Sequence, residues 1–443
     1  MKWTIPDYTE RIVRQLNENG FEAYLVGGCV RDLMLGSTPK DWDITTSAAP
    51  EQVKQSLSGF RIADTGLKHG TVTAIDGDGN TAEITTYRVE SAYSDHRHPD
   101  QVRFTRELKE DLARRDFTIN AMAYHPDGGL IDFYGGQEDL ARRRLRCVGD
   151  PTERFNEDAL RILRALRFAS ALQLRIAPET ADAVHRCRAS LAHIASERNY
   201  SEMTKLLCGN GVRPVLEEFS DVIAVFIPEL TPCFGFQQHS PYHNFDVYTH
   251  TLRALENVPS CAYMRWTMLL HDTGKPHTFT MDAQHRGHFK GHEGKSAEIA
   301  DTVLRRLHAS NQLRERVCLL IRYHDADLMP NAPCLTKWLN RIGPEALLQL
   351  IQIQRADDLA KSAAVRYRTE KADALTTMVK ALLADHACYT VRDLAIDGSD
   401  LLAIGYPPGK ALGETLDRLL AAVIDGTCPN ERKALLHLAA EWR

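Results

Sequence analysis

The chain has 443 residues, 43% hydrophobic and 26% charged, the make-up of a globular protein long enough for about three or four domains. A net charge of -5 excludes a globally basic field as the means of holding nucleic acid, so an RNA partner must be met by local basic clusters. Ten cysteines without any Cys-x-x-Cys, a start (Met1–Pro6) lacking a basic-apolar signal, and no bilayer-length apolar run give the expectation of a reduced, cytoplasmic protein with no membrane partner.

Residues 7–19 are expected to be helical, with Ile12, Val13 and Leu16 inward, leading through Gly20 into a strand at Ala23–Val26. The stretch Leu25–Thr46, LVGGCVRDLMLGSTPKDWDITT, turns at Gly27-Gly28, enters an amphipathic segment ending at Gly36, and delivers Asp41 and Asp43 one residue apart. On a strand, period two puts both carboxylates on one face and Trp42 and Ile44 on the other. Neighbouring acids repel, and a divalent cation removes that penalty. Behind a glycine turn whose amides can hold a triphosphate, the pair suits Mg²⁺-assisted nucleotidyl transfer; alone, Asp-x-Asp is equally a surface pattern.

Pro50–Leu57 is a further expected helix, and Gly70–Ile75 with Ala82–Tyr87 form an expected hairpin around Asp76-Gly77-Asp78-Gly79-Asn80. Glu83, on its second strand, is either a third metal-facing carboxylate or an exposed strand acid. The polar segment Arg88–Phe104 is expected to be a mobile loop. In the following RRDFTINA, Phe117 and Ile119 can bury while Arg115, Asp116 and Asn120 stay available for phosphate and ribose; a capped helix start with solvated charges explains the same residues.

From Asp150 the pattern is helical to the end. Ala159, Ile162, Leu163, Leu166 and Ala169 make an inward stripe beside a face carrying Glu157, Asp158, Arg161 and Arg164. Ordinary ion pairs along one helix account for that face. So does base reading: cytosine and adenine each present a donor beside an acceptor, which an aspartate beside an arginine complements, whereas guanine and uracil offer the reverse order.

Together LVGGCVRD, DWDITT, TYR, RHPDQVRF, RRDFTINAMA, DPTERFNEDALRILRALRFA and SERNYSEM resemble, in order, the class II tRNA nucleotidyltransferases and bacterial poly(A) polymerases of the polymerase-β superfamily, over roughly residues 22 to 205. The resemblance implies an α+β protein, a mixed α/β polymerase-β-like head followed by helical neck, body and tail, here divided as 1–148, 149–228, 229–334 and 335–443. It implies metal-binding carboxylates at Asp41 and Asp43, with Glu83 as the candidate third, and nucleotide contacts at Gly27, Gly28, Arg31, Arg115, Asp116 and Asn120. Base selection falls on Glu157, Asp158 and Arg161 beside Arg164, with Arg198 supporting. The implied activity is template-independent addition of the tRNA 3′-terminal CCA from CTP and ATP by two-ion Mg²⁺ chemistry; the alternatives are an A-adding enzyme or poly(A) polymerase sharing the same head, and a hydrolase whose head only binds tRNA. The Arg88–Phe104 segment corresponds to the family's flexible loop for the switch from C to A.

After Pro228, His243 and His250, then His271-Asp272, His292, His324-Asp325 and Asp357 follow in an order that resembles the HD superfamily of metal phosphohydrolases. The resemblance carries ligand roles for a divalent transition metal onto His250, His271, Asp272 and Asp357, with His292 and His324 extending the set toward a second ion. Two readings stand: an active phosphohydrolase, or a helical body that supports tRNA while keeping the ligands. In the helical tail, Arg366, Arg368, Lys371, Lys380, Arg392 and Lys410 are either phosphate contacts or a solvated surface.

Overall fold

The computed structural model describes residues 3–91, 101–362 and 367–443, in two compact units, Met1–Pro228 and Glu229–Arg443. In the first, the glycine-turn strand β1 (Ala23–Val26) and the Asp-x-Asp strand β2 (Asp43–Thr46) pair antiparallel, as do β3 (Arg61–Gly66), β4 (Thr71–Ile75) and β5 (Thr81–Thr86) in sequence. The β4–β5 turn is closed by Asp76, whose carboxylate accepts from the Asp78 and Asn80 amides. The ends of the segment expected to be a loop are instead an antiparallel ribbon, β6 (Arg88–Ser91) with β7 (Gln101–Phe104). Its hydrophilic side chains hide a backbone ladder that composition does not report; residues 92–100 lie outside the described residues. Strands β8 (Met122–His125) and β9 (Gly129–Asp132) complete a seven-stranded sheet ordered β3-β4-β5-β2-β1-β8-β9.

One pairing matters most for function. Strand β2 runs parallel to β5 with Asp43 opposite Glu83, a long-range neighbour that hairpin logic alone does not supply.

The helical remainder of this unit buries the expected stripe, Ala159, Ile162, Leu163 and Leu166 being inaccessible. It is not purely helical, since Arg144–Leu145 and Arg175–Ile176 pair as short parallel strands. Nor do Glu157 and Asp158 share a helix with Arg161: one helix spans Pro151–Glu157, Asp158 is extended (φ -138°, ψ 104°), and the next spans Leu160–Leu172. Asp158 Oδ1 accepts from the Leu160 amide, giving the second helix a fresh start.

In the second unit, helices Val247–Glu256, Ala262–Leu270, His292–Arg306, Asn311–Tyr323 and Pro344–Ala360 pack into a bundle. The C-terminal helices gather a separate core around Leu401, Leu419, Leu435 and Ala439. Among the described residues no helix is long and apolar enough to cross a membrane.

Candidate active sites

Gly27 has φ +77°, which L side chains rarely adopt, and a Cβ there would stand 3.1 Å from Arg115 Nη1 and 3.8 Å from Asp43 Oδ2. The glycine therefore lets backbone approach an arginine and a carboxylate together. Trp42 and Ile44 are buried, Asp41 is exposed just before β2, and Asp43 is half-buried, so the expected alternation is present. Burial raises the Asp43 carboxyl and the neighbouring Glu83 and Asp41 add to it, while Arg115 opposes them. Asp43, Glu83, Arg88, Arg114 and Arg115 line a cleft of about 220 Å³.

Behind that cleft lies Asp111, which the sequence reading passed over. Fully buried, it accepts from Thr45 Oγ1 (3.0 Å), Arg114 Nε (2.9 Å) and the Arg88 amide (3.3 Å), and lies 3.5 Å from Arg115 Nη2. Burial alone would raise its carboxyl, but Arg114 and Arg115 hold it below the ordinary value. It ties the arginine beside Asp43 to the start of the ribbon.

Asp116 and Asn120 do not stand open for phosphate and ribose as expected. Both are buried in a relay: Arg31 Nη1 donates to Asn120 Oδ1 (2.8 Å), Asn120 Nδ2 to Asp116 Oδ1 (3.1 Å), and Arg164 Nε to Asp116 Oδ2 (2.8 Å). Against the effect of burial, the Arg164 guanidinium draws Asp116 down to about 2. Arg31, Arg164 and Arg167 surround the Phe168 ring at 5.1, 5.5 and 4.0 Å, concentrating cationic donors there.

Asp158 and Arg161 are close in sequence but do not pair through their side chains. Asp158 Oδ2 takes Arg198 (3.2 Å), while Arg161 donates to Glu157 (2.5 Å) and to the Arg154 and Arg114 carbonyls (3.2 Å each). The break at Asp158 turns its carboxylate toward the helix carrying Arg198.

In the second unit, His250, His271, Asp272 and Asp357 place ligand atoms within 4.8 Å of one another, and Asp272, His292 and His324 form a second such set. Asp272 belongs to both: Oδ2 lies 3.3 Å from His271 Nε2, and Oδ1 3.5 Å from His292 Nε2 and 3.8 Å from His324 Nε2. The ring nitrogens are oriented from behind. The Nδ1 atoms of His271, His292 and His324 sit 2.8, 2.9 and 2.7 Å from the carbonyls of Met268, Phe289 and Ile321. Carbonyls only accept, so these Nδ1 atoms donate, and in the neutral rings that a metal requires each Nε2 presents a lone pair. His292 Nε2 and His324 Nε2 then face each other at 3.2 Å, two acceptors with no donor between them. His271 Nε2 and Asp272 Oδ1 are buried with no hydrogen-bond partner among the described residues. Such a donor set fits divalent transition metal. Two lysines also missed from sequence flank it, Lys275 at 2.6 Å from Asp272 Oδ2 and Lys361 at 2.6 Å from Asp357 Oδ2.

Of the tail cations, Arg366 lies outside the described residues; Lys371 pairs with Asp327 (2.9 Å) and Lys410 with Glu414 (3.1 Å).

The poly(A) polymerase head domain model matches residues 23–146, the RNA- and SrmB-binding site of polymerase A matches 173–233, and the second domain of tRNA nucleotidyltransferases matches 293–439. The sheet, its glycine turn and its acids thus define a nucleotidyltransferase. The CCA-adding enzyme of Levilactobacillus brevis is 35% identical over 427 residues, 96% of this chain and 95% of that one. That of Enterococcus faecalis is 35% identical over 441 residues, 98% and 95% of the two chains. The Bacillus stearothermophilus CCA-adding enzyme, solved in complex with CTP, superposes with TM-score 0.75 at 29% identity, covering 99% of this chain and 98% of its own. The chain belongs to the CCA-adding enzyme family of tRNA nucleotidyltransferases.

Proposed function

We propose that this protein builds or repairs the 3′-terminal CCA of tRNA from CTP and ATP, in the cytoplasm and without a nucleic-acid template. The observation that carries the reading is the convergence of Gly27, Asp43 and Arg115 beside Glu83 at one cleft, in a chain alignable over almost its whole length with CCA-adding enzymes. Asp41 and Asp43, with Glu83 opposite, would hold Mg²⁺: they are hard oxygen donors, and their mutual repulsion at a half-buried position is opposed within the protein by Arg115. Bound there, Mg²⁺ supplies charge stabilisation for the entering and leaving oxygens. Arg115 and Arg31 grip the triphosphate, with the Gly27-Gly28 turn giving it close access to backbone. The RNA 3′-hydroxyl oxygen forms a bond to the α-phosphorus as its proton passes to water, the α–β bridging bond breaks, and pyrophosphate departs.

Asp158 and Arg161 read the base by exchanging protein partners for a nucleobase edge. Arg198 and Glu157 occupy their polar atoms here, so neither is left unsatisfied before a nucleotide enters. The test is end-sequencing of tRNA transcripts lacking CCA, CA or A after incubation with protein, Mg²⁺, CTP and ATP. Completion of all three to CCA is expected. Extension only of the transcript lacking A would make this an A-adding enzyme, and long A tails a poly(A) polymerase.

A second reading is favoured by the orphaned His271 Nε2 and Asp272 Oδ1: the second unit binds divalent transition metal and hydrolyses phosphate esters. His250, His271, Asp272 and Asp357 would hold one ion, and Asp272, His292 and His324 a second, activating water for attack on phosphorus. Equilibrium dialysis against Mn²⁺ or Ni²⁺ tests the binding.

A further inference from the structure

We infer that the second-unit site takes a nucleic-acid phosphodiester, with one nucleoside held apart from the continuing chain; this rests on the hydrolase reading above. Two cavities meet at the histidine–aspartate cluster. One, of about 760 Å³, reaches Asp272 and His292 and is edged by Lys275, Arg286, Lys290 and Arg322. The other, of about 410 Å³, lies among Gln354, Tyr367, Arg368 and Lys371. His324, Asp325, Ala326, Asp357 and Lys361 line both and form their common wall. Each volume is within the roughly 300–1,000 Å³ of small-molecule sites. A phosphomonoester has one organic substituent and fills one room. A diester has two, and its phosphorus falls at the shared wall, beside the ligand sets.

Charge assigns the rooms. The larger carries Arg286, Lys290 and Arg322 at its edge, Lys275 being committed to Asp272 (2.6 Å), and these three suit a phosphate backbone continuing outward. The smaller is nearly balanced, because Lys371 is taken by Asp327 (2.9 Å) and Arg368 lies 3.7 Å from Asp358. It offers instead the Tyr367 ring, whose residue is 64% exposed, as a platform for a terminal base. Lys361 belongs to both rooms. Its ammonium commits donors to Asp357 (2.6 Å) and Asp358 (3.0 Å), and its third donor is available to a phosphate oxygen. In the reaction a water oxygen bonds to phosphorus and the bond from phosphorus to the terminal nucleoside's oxygen breaks. The water's proton ends on that departing oxygen, and no electrons are exchanged with a redox partner.

The test uses the full chain with Mn²⁺ and two substrates, the dinucleoside monophosphate ApA and the monoester p-nitrophenyl phosphate, with CTP added to fill the head. Tyr367→Ala is expected to raise KM for ApA about five-fold or more, the loss of one stacked base, while kcat and the monoester KM are unchanged. Tyr367→Phe restores ApA, since stacking needs the ring and not the hydroxyl. Calorimetric binding of ApA to EDTA-treated protein falls by the same factor in Tyr367→Ala. Monoester cleavage without ApA cleavage, or equal effects of Tyr367→Ala on both substrates, overturns the two-room inference and leaves the hydrolase reading standing. Failure to bind Mn²⁺ or to cleave either substrate removes both.

Discussion

The two units hold charge in opposite ways. In the first, the buried carboxylates Asp111 and Asp116 each meet protein donors, Thr45 and Arg114 for one and Asn120 and Arg164 for the other, while Asp41 and Glu83 remain at the surface. In the second, lone pairs are buried against lone pairs: His292 Nε2 against His324 Nε2, with Asp272 Oδ1 and His271 Nε2 lacking hydrogen-bond partners among the described residues. An unmet buried polar group costs on the order of 1–3 kcal/mol, more if charged, so the second arrangement suits the proposed metal binding, with an ion that stays. The head's open acids suit an ion that arrives and leaves with each nucleotide.

The sharpest way to break this comparison is to remove ligands from one unit and read both. Asp43→Ala is expected to lower nucleotide addition by ~10³-fold or more, through several kcal/mol of lost charge stabilisation, with transition-metal content unchanged. Preserved addition in a primer-extension assay would take Asp43 out of the metal role. His271→Gln should do the reverse, abolishing metal retention measured by mass spectrometry while CCA addition persists. If metal is retained, the orphaned Nε2 is not a ligand.

Arg161→Ala has a smaller expected effect, directed at choice rather than rate. Discrimination against UTP and GTP should fall by ~10- to 100-fold, the scale set by hydrogen bonds to a base edge. Competition assays showing unchanged discrimination would remove Arg161 from base reading and leave it as a partner of Glu157.

What sequence disclosed and what it hid divide between local periodicity and the burial of charge. The β4–β5 hairpin, the Asp41/Asp43 alternation with buried Trp42 and Ile44, and the Ala159–Ala169 stripe are local periodicities, and all are present. The histidines and aspartates of the second unit come together although Asp357 follows Asp272 by a long interval, because each occupies a buried position on a packed helix or its end. Burial of charge stayed hidden, even where the partner is only three or four residues away, as for Lys275 with Asp272 and Lys361 with Asp357. Asp111, Lys275 and Lys361 look like ordinary surface charges on helices, and only packing buries them. Helical periodicity runs straight through Asp158, yet an aspartate before Ala159-Leu160 is also a helix-start signal, and the backbone obeys that one.

The Asp116–Arg164 pair gives the smallest predicted effect and the most direct measure of how the first unit satisfies its charges. The Asp116 carboxyl has its pKa drawn from an ordinary 3.8 to about 2 in the folded state. A depressed acid adds stability that is full above its unfolded pKa and disappears as pH falls through the folded one. The window is therefore between about pH 4 and about pH 2, and the contribution is about 2 kcal/mol. Asp116→Asn is expected to flatten the fall in first-unit unfolding midpoint across that window, in thermal melts followed by circular dichroism. Arg164→Met should act differently: it leaves the buried carboxylate without its main cation, destabilises the unit at neutral pH, and makes stability recover relative to the parent as acid protonates Asp116. Opposite pH slopes for the two variants would establish that Arg164 serves the relay from Asp116 through Asn120 to Arg31. Parallel slopes would mean that Asn120 and the Phe117 amide, which donates to Asp116 Oδ1 at 2.8 Å, hold the carboxylate, and that Arg164 is free to serve the nucleotide.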